Sequence, residues 1–120
     1  MADVVAFVDD LLFQSKIAET ARHAGVELKF VASPDSLAAE SAQSPAALVI
    51  VDLNARNAPL EAIQRLKAAG APQRIIAFLS HVQVELAAQA RASGCTEVLP
   101  RSKFTQLLPE MMQRAKAAKG

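Results

Sequence analysis

Five short apolar runs, each followed by a stretch of helical periodicity, leave this chain few folds to choose from. The runs are VVAFV (residues 4 to 8), VELKFV (26 to 31), ALVIV (47 to 51), IIAFL (75 to 79) and EVL (97 to 99). Strand and helix alternating five times predict an α/β domain. Its sheet is parallel, with helices on both faces and right-handed crossovers. The third and fourth runs are apolar at every position, as strands buried on both faces should be. The second alternates Val26, Leu28 and Phe30 with Glu27 and Lys29, so one of its faces is wet, which suits a sheet edge.

The helices are bounded by recognisable signals. Residues 11 to 24 carry Phe13, Ile17, Ala21 and Ala24 on one face, and Gly25 follows as a stop. Ser33-Pro34 reads as N-cap and first helical residue of a short helix ending near Gln43. Pro59 opens a helix carrying Leu60, Ile63 and Leu66, closed by Gly70, and residues 82 to 93 form another, closed by Gly94. Pro100 blocks extension of the fifth strand. The last helix is expected to start near Pro109 and run to about Ala118, its tail RAKAAKG being a solvated helix end. A length of 120 residues fits a single domain, 1–120, with no linker or internal repeat.

In such a sheet, ligands sit outside the carboxyl ends of the strands. Asp9 and Asp10 follow the first strand, Asp52 ends the third, Ser80 and His81 follow the fourth, and Arg101 and Lys103 follow the fifth. Any one of these acids alone reads as a turn residue or helix cap, Asp10 especially. Three carboxylates brought to one edge repel one another and call for a cation between them. Oxygen ligands without His or Cys favour a hard ion such as Mg2+. With a basic side chain opposite, the arrangement suits a phosphoryl group, one carboxylate serving as nucleophile.

With these residues in view, the chain resembles the receiver domains of bacterial two-component response regulators, in an atypical, single-domain form. The resemblance rests on FVDD (7 to 10), LVIVDLN (48 to 54) and GCTEVLPRSKF (94 to 104), and covers nearly the whole length. It implies a flavodoxin-like, doubly wound sandwich with sheet order 2-1-3-4-5. It implies Asp52 as phospho-acceptor. Mg2+ would be held by Asp9, Asp10, Asp52 and the main-chain carbonyl of Asn54. Other positions depart from the family pattern. Leu79 stands where a Thr or Ser hydroxyl is usual, with Ser80 one residue later and so facing the other side of the strand. Arg101 stands in place of the usual Lys, with Lys103 as a substitute two residues on. Ser102 stands in place of the following Pro, so no cis bond is expected there, and Val98 occupies the aromatic switch position.

The function implied is a stand-alone receiver in phosphorelay signalling, not an enzyme. It would take phosphate from a histidine kinase or phosphotransfer protein and signal through a separate output protein that the sequence does not name. The second reading is a phosphorylation-independent interaction module. A homodimer is compatible with either. A nucleotide- or flavin-binding enzyme would need a glycine-rich first loop, and DDLLFQS has no glycine. A balance of 13 basic and 12 acidic residues gives no reason to expect nucleic acid or an anionic membrane. Five Phe with no Tyr or Trp offer little stacking surface for single strands. No signal peptide or membrane span is legible, so the cytoplasm is the expected location. One cysteine, Cys95, forms no internal disulfide and reads as a small buried residue. His81 reads as a loop residue beside the site, and His23 as a partner of its helix C-terminus. Of the neighbours Met111 and Met112, one is expected to face the core.

Overall fold

The computed structural model describes residues 2–43, 45–70, 73–80 and 83–119. In chain order the elements are β1 (Val4–Phe7), α1 (Leu11–Ala24), β2 (Leu28–Val31), α2 (Pro34–Gln43), β3 (Leu48–Asp52), α3 (Pro59–Ala68), β4 (Arg74–Leu79), α4 (Val84–Ser93), β5 (Glu97–Pro100) and α5 (Arg101–Lys119). The strands form one parallel sheet in the order β2-β1-β3-β4-β5. This is the flavodoxin-like arrangement that the resemblance implies.

Alternation along each central strand divides the core in two. Val5, Phe7, Val49, Val51, Ile75, Ala77 and Leu79 pack with Leu37 of α2, Ile63 and Leu66 of α3, and Ala90 of α4. Val4, Ala6, Leu48, Ile50, Ile76 and Phe78 point to the other face. There they meet Phe13, Ile17 and Ala21 of α1 and a stripe on α5. Burial on both faces is why β3 and β4 lack polar alternation. β2 is an edge: Lys29 is exposed and reaches Glu40 on α2 at 2.7 Å.

Most boundaries fall where the local signals put them. The Ser33 hydroxyl accepts from the Ser36 amide at 3.0 Å, capping α2. β2 starts two residues later than expected because the Val26 amide donates to the Ala21 carbonyl at 2.9 Å, closing α1. Asp52 belongs to β3, paired with Phe78. α4 begins at Val84; the expected start at Val82, and His81, lie outside the described residues. Among the described residues there is no cis peptide bond.

The last helix departs most from expectation. α5 begins at Arg101, directly after β5, and Pro109 lies inside it. Phe104, Leu108, Met111, Met112 and Ala115 are all buried and recur at helical spacing on both sides of the proline. Packing of that stripe outweighs the hydrogen bond that Pro109 cannot donate, and its ring sits on the exposed face. Both methionines are buried, not one, because the stripe is wide enough to take neighbouring positions. Among the described residues no helix is long and apolar enough to cross a membrane.

Candidate functional site: an acid crevice at the strand ends

The carboxyl ends of β1 and β3 bring Asp9, Asp10 and Asp52 to one crevice of about 370 Å³, also lined by Asn54, Arg56 and Arg101. Each carboxylate has one oxygen fixed by backbone. Asp10 caps α1: its Oδ1 accepts from the amides of Leu12 at 3.0 Å and Phe13 at 3.1 Å. Asp9 Oδ2 accepts from the Arg56 amide at 3.0 Å, tying the loop after β3 to the end of β1. Asp52 Oδ1 accepts from the Asn54 amide at 2.9 Å.

Asp52 is 2% exposed, on a strand buried on both faces. Burial pushes its carboxyl above the ordinary value of 3.8. The Asn54 amide and the Arg101 charge oppose that rise, while Asp9 and Asp10 add to it. A carboxylate raised in this way is a more basic, stronger oxygen nucleophile once ionised.

Arg101, the first residue of α5, supplies the cation opposite the acids. Its Nη1 lies 3.7 Å from Asp10 Oδ2 and its Nη2 3.8 Å from Asp52 Oδ2. These are ion-pair separations, longer than hydrogen bonds. The guanidinium carbon sits 4.7 Å from the centre of the Phe13 ring and 5.8 Å from that of Phe78. Its Nε is buried without a hydrogen-bond partner. Lys103 is exposed on α5 and does not line the crevice. Two residues along a helix turn a side chain away from its predecessor's face.

Ser80 follows β4, and both its amide (2.8 Å) and its hydroxyl (3.0 Å) donate to Asn54 Oδ1. The Asn54 side-chain Nδ2 donates in turn to Gln83 Oε1 at 3.0 Å. The hydroxyl is therefore engaged beside the crevice and does not line it, and Leu79 is buried in the core. Val98 is half-buried beside a hollow of about 250 Å³ between α4 and β5. Cys95 lies half-buried before β5, and burial pushes its thiol up to about 11, against a smaller opposing effect of Arg91. That disfavours the reactive thiolate at neutral pH.

The donor chemistry fits a hard divalent ion: oxygen alone, with three carboxylates on one crevice. As arranged, the acids are spread around a guanidinium, not closed on an ion. Among the described residues no three acidic, histidine or cysteine side chains stand close enough to hold one. Arg56 and Gln83 are not signalled by the sequence, and Phe13 is not signalled as a site residue. Phe13 was legible as a core position of α1, but its contact with Arg101 depends on α1 and α5 lying side by side.

No protein-family model matches the chain, and no curated protein matches it by sequence. Solved structures do match in three dimensions. The Vibrio cholerae chemotaxis protein CheY4 is 20% identical, with a TM-score of 0.80 over 96% of this chain and 98% of its own. The receiver domain of NtrX from Brucella abortus is 19% identical, with a TM-score of 0.79 over 94% and 97%. The signal receiver domain of the putative response regulator NarL from Mycobacterium tuberculosis is 13% identical, with a TM-score of 0.79 over 96% of each chain. The chain shares the fold of response-regulator receiver domains, five parallel strands in the order 2-1-3-4-5 with five helices.

Proposed function

We propose, with the receiver fold as premise, that this chain is a two-component signalling module that accepts a phosphoryl group on Asp52. The observation that carries the reading is a buried aspartate at the end of a central strand, its Oδ1 held by the Asn54 amide, lining an acid crevice. The donor would be a histidine kinase or phosphotransfer protein. A lone pair on Asp52 Oδ2 forms the new O–P bond. The P–N bond to the donor imidazole breaks, and its electron pair stays on that nitrogen. Burial makes the nucleophile more basic, and Arg101 is the basic side chain beside it. Asp9, Asp10, Asp52 and the Asn54 carbonyl are the residues that would hold Mg2+. Bound there, the ion would offset charge on the phosphoryl oxygens.

A second reading is a phosphorylation-independent interaction module. It is favoured by the Leu79 side chain in the core, by the Ser80 hydroxyl committed to Asn54, and by the pairing of Arg101 with Asp52. Intact mass after incubation with acetyl phosphate and Mg2+ separates the two. With this donor the P–O bond breaks and acetate leaves. A phosphate adduct on the folded chain, lost in Asp52→Asn, is the expected result. A folded chain that gains no adduct from acetyl phosphate or from a phosphorylated histidine phosphotransfer protein would favour the interaction module.

A further inference from the structure

We propose that Arg101, seated on the rings of Phe13 and Phe78, is a resident cation that competes with a divalent metal ion for Asp10 and Asp52. The inference rests on the reading of the crevice as a cation site, and it assigns Phe13 as a positioning residue acting through Arg101.

Four elements converge on the guanidinium. Asp10 reaches it from the loop after β1 and Asp52 from the end of β3. Phe13 of α1 and Phe78 of β4 lie beneath it. The rings form one cluster: Phe13 and Phe78 are 4.9 Å apart between centres, and Phe78 stacks on Phe104 at 4.4 Å. Phe104 is fully buried three residues after Arg101, so the platform and the backbone that carries the guanidinium are anchored in the same core. A guanidinium is planar and weakly hydrated, and it stacks on aromatic faces in a way that an ammonium does not. The unpartnered Nε shows that stacking and charge, not a full set of hydrogen bonds, hold this side chain.

The consequence is electrostatic. A divalent ion shared by Asp10 and Asp52 would have to sit where the guanidinium already faces both carboxylates. Like charges at that range repel strongly in a half-buried crevice. Binding of the ion therefore requires Arg101 to leave its rings and both acids. Affinity for the ion is then set partly by an aromatic side chain that contributes no ligand.

Free Mn2+ counted by electron paramagnetic resonance, on the full chain, reads this directly. Arg101→Gln is expected to bind Mn2+ about tenfold more tightly than the parent, the order expected from removing one adjacent positive charge. Phe13→Leu keeps apolar bulk but removes the ring face, and should tighten binding by a smaller factor. Arg101→Lys keeps the charge without the planar stack and should fall between parent and Arg101→Gln. A structural role for Phe13 alone would leave metal affinity unmoved. The parent chain gives a check free of any mutation: the Arg101 Nε–Hε resonance, on a guanidinium whose carbon lies 4.7 Å from the Phe13 ring centre, should shift and lose its heteronuclear NOE as Mg2+ is added. Equal or weaker Mn2+ binding by folded Arg101→Gln overturns the proposal. So does an Arg101 signal unchanged at saturating Mg2+, or no Mn2+ binding by any variant. Adduct formation on Asp52 is scored separately. An adduct with unmoved Mn2+ affinities sinks the competition alone, whereas tightened affinities without an adduct sink only the phospho-acceptor reading.

Discussion

Asp52 answers to two opposing demands: a strand interior that disfavours its charge, and the Asn54 amide and Arg101, which favour it. The first has a measurable consequence. A carboxyl raised above its unfolded value gives stability that is fully present below that unfolded value of 3.8 and is lost as pH rises through the higher folded one. At neutral pH the ionised form therefore weighs against folding. Asp52→Asn, neutral at every pH, is expected to be more stable than the parent at pH 7, the gap narrowing as pH falls toward the unfolded value. Loss of the Arg101 ion pair acts the other way, but burial is the larger cause of the shift. Urea titrations across that range check it. A variant less stable than the parent at pH 7 would make the carboxylate a structural partner of Arg101 before anything else.

At the scale of the element, the sequence is legible where its signals are local. Apolar runs gave the strands, Ser33-Pro34 and Pro59 the starts of α2 and α3, and Gly94 the end of α4. Asp9, Asp10 and Asp52 were legible as a group because topology alone carries strand ends to one edge. The start of α5 differs from expectation because a proline usually marks the first turn of a helix, whereas Pro109 lies inside α5. Only the docking of Phe104 and Leu108 into the core makes that segment helical. Seating of Arg101 on Phe13 was illegible for a related reason: it joins residues distant in the chain, and no local pattern reports it. If Pro109 is a tolerated defect in a helix held by packing, Pro109→Ala should raise stability by about 1–3 kcal/mol. A higher urea midpoint with an unchanged far-UV spectrum is the expected result. A lower midpoint would mean that the proline ring itself stabilises α5.

Taken whole, the molecule is two cores sharing one sheet, and β1, β3 and β4 belong to both. α4 adds little to either: Ala90 is its one buried residue, and Val84 at its start is largely exposed. Amide exchange should therefore be slowest in residues 4–7, 48–52 and 75–79, and fastest among the helices in α4. Protection of α4 equal to that of β3 would contradict this. The two rims of the sheet differ from its middle. On one, Lys29 is exposed and bound to Glu40; the other ends in Pro100, which has no amide hydrogen to offer. A charge on one rim and a missing amide hydrogen on the other each disfavour the docking of a further strand, which works against growth of the sheet from copy to copy when many are crowded together.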